Sequence, residues 1–245
     1  MKKNCLKVAQ ISDMHIGQSE LVQGIDVREN FRRALYSDSV KSCDFIMLSG
    51  DMADDGSEEA YEFVLGEMEK FGKPWNFIIG NHDDTRNCMR ILRGEPDYTS
   101  TFDYVQEVFG RRFVCLDSSS GRVLDSQIDW LRRQARVRGQ FYLFTHYPPC
   151  VCGHRFMDAN FSMKNMEAFQ KVLAEFDNLK YIFCGHYHVP FEIRLKSGQI
   201  VCVAPATEMQ ISKRMKEFHI ITSKPSWQIL EFDGDDLEIK VVSYE

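Results

Sequence analysis

Nine residues of this 245-residue chain whose side chains could bind metals or move protons fall at unusually regular places. They are Asp13, His15, Asp51, Asn81, His82, Asp83, His146, His186 and His188. They lie in five short segments: Asp13-Met14-His15, Gly50-Asp51, Gly80-Asn81-His82-Asp83, Thr145-His146 and Gly185-His186-Tyr187-His188. These segments hold five of the seven histidines. Mixed imidazole and carboxylate donors suit Fe, Mn or Zn. Two such ions side by side would activate a water for hydrolysis. At the end of an extended strand, residues i and i+2 point the same way. Asp13 and His15 can therefore chelate one ion together, and His186 and His188 can serve two neighbouring ions. One such segment alone would read as a turn or a cap; five in order do not.

Each segment follows a short apolar run: Leu6 to Ile11, Phe45 to Leu48, Phe77 to Ile79, Phe141 to Phe144 and Tyr181 to Cys184. Runs of this length, rich in Ile, Val and Phe, read as strands buried on both faces. Ligands of open α/β sheets gather at the carboxyl ends of the strands, so all five segments should meet at one rim. Glycines at 50, 80 and 185 would let the backbone turn sharply and approach the site closely.

Between the strands lie amphipathic stretches. Tyr61, Val64, Leu65 and Met68 form one helical face, with Ser57 as its cap. Ile128, Leu131 and Ala135 form a second, led by a capping-box-like Ser126 and Asp129. Met166, Phe169, Val172, Leu173 and Phe176 form a third, capped by Asn165. After residue 190 the pattern alternates, which predicts antiparallel strands at 191–195, 200–204, 217–222, 227–232 and 237–242. The expected fold is α/β, with two packed mixed sheets flanked by helices, in one domain spanning residues 1–245.

Composition sets bounds on partners. The formal net charge of -6 argues against general nucleic-acid binding. No apolar run approaches a membrane span, and Lys7 and Gln10 interrupt any signal-like stretch over Met1 to Gln10. Eight cysteines in a chain of this kind read as reduced thiols in the cytoplasm, Cys150 and Cys152 included. His154 reads as an exposed loop residue and His219 as a structural residue of a strand. The arginines between 132 and 138 read as the solvated face of a helix. Edge strands near the C-terminus could pair two copies into a homodimer.

The order DxH, GD, GNHD, TH, GHxH resembles the calcineurin-like metallophosphoesterases. Further matches resemble one branch, the class III cyclic-nucleotide phosphodiesterases and their glycerophosphodiesterase relatives. These are Leu116-Asp117-Ser118, Trp130-Leu131, His146-Tyr147-Pro148-Pro149, Met157-Asp158, Asn165, Ala204-Pro205-Ala206-Thr207 and Pro225-Ser226-Trp227. The resemblance implies a four-layer αββα sandwich. It implies that Asp13, His15 and His188 hold the first metal, that Asp51 bridges, and that Asn81, His146 and His186 complete the second. His82 would stand outside the metals near the scissile phosphate, with Asp83 orienting it. A hydroxide bridging ions roughly 3.5–4 Å apart would then attack a small phosphodiester, such as a 3',5'-cyclic nucleotide. One departure is Tyr147, where relatives carry a second histidine. A phosphomonoesterase or protein phosphatase could use the same site, and a non-catalytic scaffold could share the fold, though scaffolds of this kind typically lack ligands that this chain retains. A nuclease would need a basic platform, which is missing here.

Overall fold

The computed structural model describes residues 5–19 and 21–244; the signal-like start at Met1 to Asn4 lies outside them. The five apolar runs all form strands, but they divide between two sheets. In the first sheet, Cys5–Ile11, Phe45–Ser49 and Trp75–Ile78 run parallel, and the hairpin Ser226–Asp233/Asp236–Ser243 adds on antiparallel to Cys5–Ile11. In the second, Ile200–Val203, Leu179–Cys184, Phe141–Thr145 and Arg111–Leu116 run parallel. Phe191–Arg194 and Tyr104–Val108 close its two edges antiparallel.

Alternation along these strands builds the layers, since successive side chains leave opposite faces. Leu6, Val8, Phe45, Met47, Phe113, Tyr142, Phe144, Phe183, Leu230 and Phe232 meet between the sheets. Ala9, Ile11, Ile46 and Leu48 face the other way, onto Phe31, Leu35, Tyr61 and Val64 from helices Val27–Leu35 and Glu58–Phe71. Val114, Leu116, Leu143 and Ile182 face outward from the second sheet, onto Leu131, Phe169 and Leu173 from helices Asp125–Ala135 and Met166–Leu173. The expected αββα sandwich follows. Gln10 ties its halves together beneath the rim: its amide donates to Ser49 Oγ and to Cys184 O, both at 3.0 Å, and accepts from Gln228 at 2.7 Å.

Several local expectations need correction. The third strand starts two residues earlier, at Trp75, and the expected 217–222 strand shrinks to Ile220–Thr222. Helix Asp125–Ala135 is capped by Gln127, whose Oε1 accepts from Leu124 N at 2.8 Å, and not through Ser126 and Asp129. Ser57 and Asn165 stand at the N-cap positions, yet neither makes a capping bond; the Asn165 amide instead bonds both backbone groups of Val123. The stretch 84–112, where the sequence pattern announces no element, contains helix Thr85–Arg93 and strand Tyr104–Val108. That strand joins Arg111–Leu116 through Phe109 and Gly110, both at positive φ, the backbone that a tight hairpin turn requires. Among the described residues, no helix is long and apolar enough to cross a membrane.

Candidate dinuclear metal centre

The rim residues are delivered by strained backbone rather than by strand alternation. Asp13, His15, Asp51, His186 and His188 all have positive φ, between 45° and 72°. They account for five of the seven such non-glycine residues described. L-residues adopt this region at a cost, and such strain concentrates at functional sites. The i, i+2 pairing of Asp13 with His15 therefore arises from two left-handed residues beyond the strand end, not from extended pleating. The loops are zipped together to hold it: Asp13 N donates to Gly50 O, and Met14 N and His15 N both donate to Asp51 O.

The glycines fit the close approach in two different ways. Gly50 has φ 93° and a Cβ there would strike the His146 ring, whereas Gly80 and Gly185 have ordinary φ but likewise no room for a side chain. A Cβ at Gly80 would fall on the Asp51 carboxylate, and one at Gly185 on Ser12 Oγ and close to Asp13 Oδ2. Gly185→Ala should therefore lose about 1–3 kcal/mol of stability through overpacking, together with metal content. Thermal unfolding and elemental analysis check this; a variant with parental melting and full metal would contradict it.

The side chains form two adjacent groups, linked by a third made of His15, Asp51 and His82. Donor atoms of Asp13, His15 and His188 lie within 4.8 Å of one another, as do those of Asp51, His146 and His186. Asp51 Oδ2 stands between them, 3.1 Å from His146 Nε2 and 3.7 Å from His15 Nε2, while its Oδ1 accepts from His82 N at 2.8 Å. His15 Nε2 and His188 Nε2 face each other at 3.1 Å. The outer nitrogens are held elsewhere: His15 Nδ1 at 3.1 Å from Asp54 Oδ1, His146 Nδ1 at 2.9 Å from Ser49 O, and His186 Nε2 at 2.9 Å from Phe161 O. Asn81 Oδ1 is buried without a hydrogen-bond partner among the described residues, and His146 Nε2 is buried against the Asp51 carboxylate. Buried polar groups in proteins are as a rule hydrogen-bonded. Converging imidazoles, carboxylates and an orphaned ligand atom fit metal cations.

The electrostatics point the same way. Burial pulls the His15 imidazole down, but Asp54, Asp51, Glu208 and Asp13 outweigh it and lift it to about 10. His146 rises to about 9, since Asp51 and Asp13 overcome its burial. Burial opposes ionisation of Asp51, yet His146, His15 and His82 hold its carboxyl well below the usual range. Burial together with neighbouring His146 pushes His186 down to about 3. The carboxylates thus hold positive charge at the rim.

His82 stands at the edge of this floor, 44% exposed, with Nδ1 at 2.9 Å from Asp54 O and its ring 4.6 Å from that of His15. Asp83 does not orient it. The Asp83 carboxylate instead accepts from Ala53 N, Gly80 N and the Tyr61 hydroxyl, bracing the loop backbone. Burial and the charge of Asp51 raise it to about 6. Tyr147 packs on the His186 ring at 3.9 Å between centroids. His154 is buried, not exposed: it caps helix Arg155–Asn160 and packs edge-on to Tyr187. His219 is exposed and precedes the strand Ile220–Thr222. Sequence reasoning missed Asp54, Glu208 and the apolar wall of the cleft. Asp54 lies three residues beyond Asp51, a proximity that could have signalled it. The other two come from segments distant in the chain.

The cleft over the floor has a volume of about 190 Å³. Its far wall is apolar, built by Phe156, Met157, Phe161, Met209, Ile211 and Phe218.

Clustered histidines and aspartates at the strand ends of a two-sheet sandwich make a site able to hold metal. The calcineurin-like phosphoesterase profile matches residues 6–190, and the chain belongs to that family, an enzyme of phosphoric-ester hydrolysis. It is 40% identical over 244 residues to a probable cyclic nucleotide phosphodiesterase of Fibrobacter succinogenes, covering 98% of this chain and 95% of that protein. It is 25% identical over 241 residues to the 3',5'-cyclic adenosine monophosphate phosphodiesterase CpdA of Escherichia coli K12, covering 94% and 86%. In fold it is similar to a dimetal phosphatase from Danio rerio, at TM-score 0.68 and 14% identity over 98% of this chain and 99% of that one.

Proposed function

We propose that this enzyme hydrolyses a small phosphodiester, with 3',5'-cyclic nucleotides as the substrate class, using two ions of Fe, Mn or Zn. The observation that carries this reading is the two-sided cleft, with charged ligands on its floor and phenylalanines on its wall. A cyclic nucleotide has the matching halves, an anionic phosphodiester and a planar base that can stack on Phe156, Phe161 or Phe218. The names of relatives aligned over nearly the whole chain support the same class. Asp13, His15 and His188 would hold one ion, Asn81, His146 and His186 the other, and Asp51 both. When bound, the ions supply Lewis acidity and an activated water. The protein's own contribution is to fix the imidazoles of His15, His146 and His186 by their outer nitrogens and to place His82 at the mouth, where it can pass a proton to the departing oxygen. All eight cysteines are free thiols, with Cys150 and Cys152 Sγ 4.0 Å apart, which supports a reducing, cytoplasmic setting.

The test is a substrate panel on metal-reconstituted enzyme: cAMP, cGMP, bis-p-nitrophenyl phosphate, a glycerophosphodiester and p-nitrophenyl phosphate. Cyclic nucleotides should give the highest kcat/KM, and chelation should abolish turnover. Rapid release from p-nitrophenyl phosphate with all four diesters untouched would establish a phosphomonoesterase instead.

A further inference from the structure

Three of the four rim histidines have the nitrogen that faces away from the metal pocket engaged: His15 by Asp54, His146 by Ser49 O and His186 by Phe161 O. The fourth does not. His188 Nδ1 is buried and has no hydrogen-bond partner among the described residues. Facing it at 3.9 Å is Oε2 of Glu208, a side chain 1% exposed whose Oε1 is also without a partner. Two orphaned groups, one donor-capable and one acceptor, thus stand opposite each other inside the protein, where leaving either unpaired is costly.

Glu208 cannot drift to another role. Its N–H donates to Asp13 O at 3.1 Å, its carbonyl accepts from Asn30 Nδ2 at 3.2 Å, and Thr207 N donates to Ser12 O at 3.0 Å. The backbone carrying the carboxylate is therefore fastened to the loop that carries Asp13. Only the side chain must move, by roughly 1 Å, to reach hydrogen-bond distance of His188. Glu208 Oε2 is also 3.9 Å from His15 Nε2, but that nitrogen points at His188 and Asp51 and its partner nitrogen is taken by Asp54.

We propose that Glu208 is the positioning residue for His188, accepting the Nδ1 proton so that the Nε2 lone pair is presented to the metal pocket. The inference rests on the metal-centre reading above. A carboxylate behind a ligating imidazole fixes its tautomer and orientation and raises its donor strength; losing such a partner typically weakens metal binding about 10–100-fold. Glutamine keeps an acceptor oxygen and can make the same bond; alanine cannot.

The experiment compares the parent chain with Glu208→Gln and Glu208→Ala. It measures Zn²⁺ affinity by chelator competition, ring N–H resonances of the Zn²⁺-loaded protein by NMR, and thermal unfolding without metal. Glu208→Ala should bind one ion about 10–100-fold more weakly and lose one histidine ring N–H resonance, without a lower metal-free melting temperature. Glu208→Gln should keep that resonance and stay within about threefold of the parent affinity, since the amide oxygen accepts the same bond. If Glu208→Ala binds both ions like the parent, the inference is overturned. Glutamine as damaging as alanine overturns it too, because the charge or direct ligation would then matter rather than the hydrogen bond. A parent chain that binds no ions would remove the metal-centre reading itself, an outcome distinct from either.

Discussion

Asp51→Asn should strip the enzyme of both metal ions and lower kcat on any phosphodiester by at least about a thousandfold, a loss of roughly 4 kcal/mol in barrier reduction. The reason lies in how its two oxygens are used. Oδ1 is committed to His82 N at 2.8 Å, and Oδ2 is the atom nearest to both histidine groups, 3.1 Å from His146 Nε2 and 3.7 Å from His15 Nε2. An asparagine that keeps its oxygen on His82 N turns its NH₂ toward both ion positions. A donor then replaces an anionic acceptor at the one place shared by both groups. Losing any other single ligand removes a contact from one ion; this change weakens two. Elemental analysis, turnover of bis-p-nitrophenyl phosphate and circular dichroism together check the result. A folded variant with two ions per chain, or with more than a tenth of parental turnover, would show that Asp51 does not bridge.

The parts of this site that the sequence announces are those made by consecutive residues. A run such as Phe45 to Leu48 is apolar on both faces because its alternate side chains enter two different cores, and the polar residue after it must then sit at the rim. That logic finds Asp13, Asp51, Asn81, His146 and His186 without any contact information. It does not find the partners that hold them. Glu208 comes within 3.9 Å of His188 only because the 204–211 segment lies along residues 12 and 13, nearly 200 positions away in the chain. Asp83 was misassigned because adjacency to His82 suggested a partner. At a turn, neighbouring side chains diverge, and this one points back to Ala53 and Gly80. His154 failed for the opposite reason. Its Cys-Gly-His-Arg surroundings look like surface loop, but Tyr187 and Phe191 cover the ring from other elements. The hairpin Tyr104–Val108/Arg111–Leu116 was obscured because its edge strand carries Gln106 and Glu107, which interrupt the apolar pattern.

His82→Ala should separate metal binding from proton transfer. His82 has a donor atom within 4.8 Å of donors of His15 and Asp51, so proximity alone would allow it to be a ligand. Its surroundings argue otherwise: the side chain is 44% exposed, and Nδ1 is held by Asp54 O at 2.9 Å, a carbonyl that requires the proton on that nitrogen. Nε2, with no partner among the described residues, is then the nitrogen available to substrate. We expect the alanine variant to retain both ions. Its kcat on cAMP should fall about 10²–10⁴-fold, the range of a lost general acid, because the ribose oxygen leaves as a strongly basic alkoxide. On bis-p-nitrophenyl phosphate the loss should stay within about tenfold, since nitrophenolate departs without a proton. Metal content is measured first: a lost ion would make His82 a ligand and remove the acid role at once. With both ions present, equal losses on the two substrates would mean that His82 binds the phosphate rather than protonating the leaving group. A large loss confined to cAMP would follow only if the proton passes through this ring.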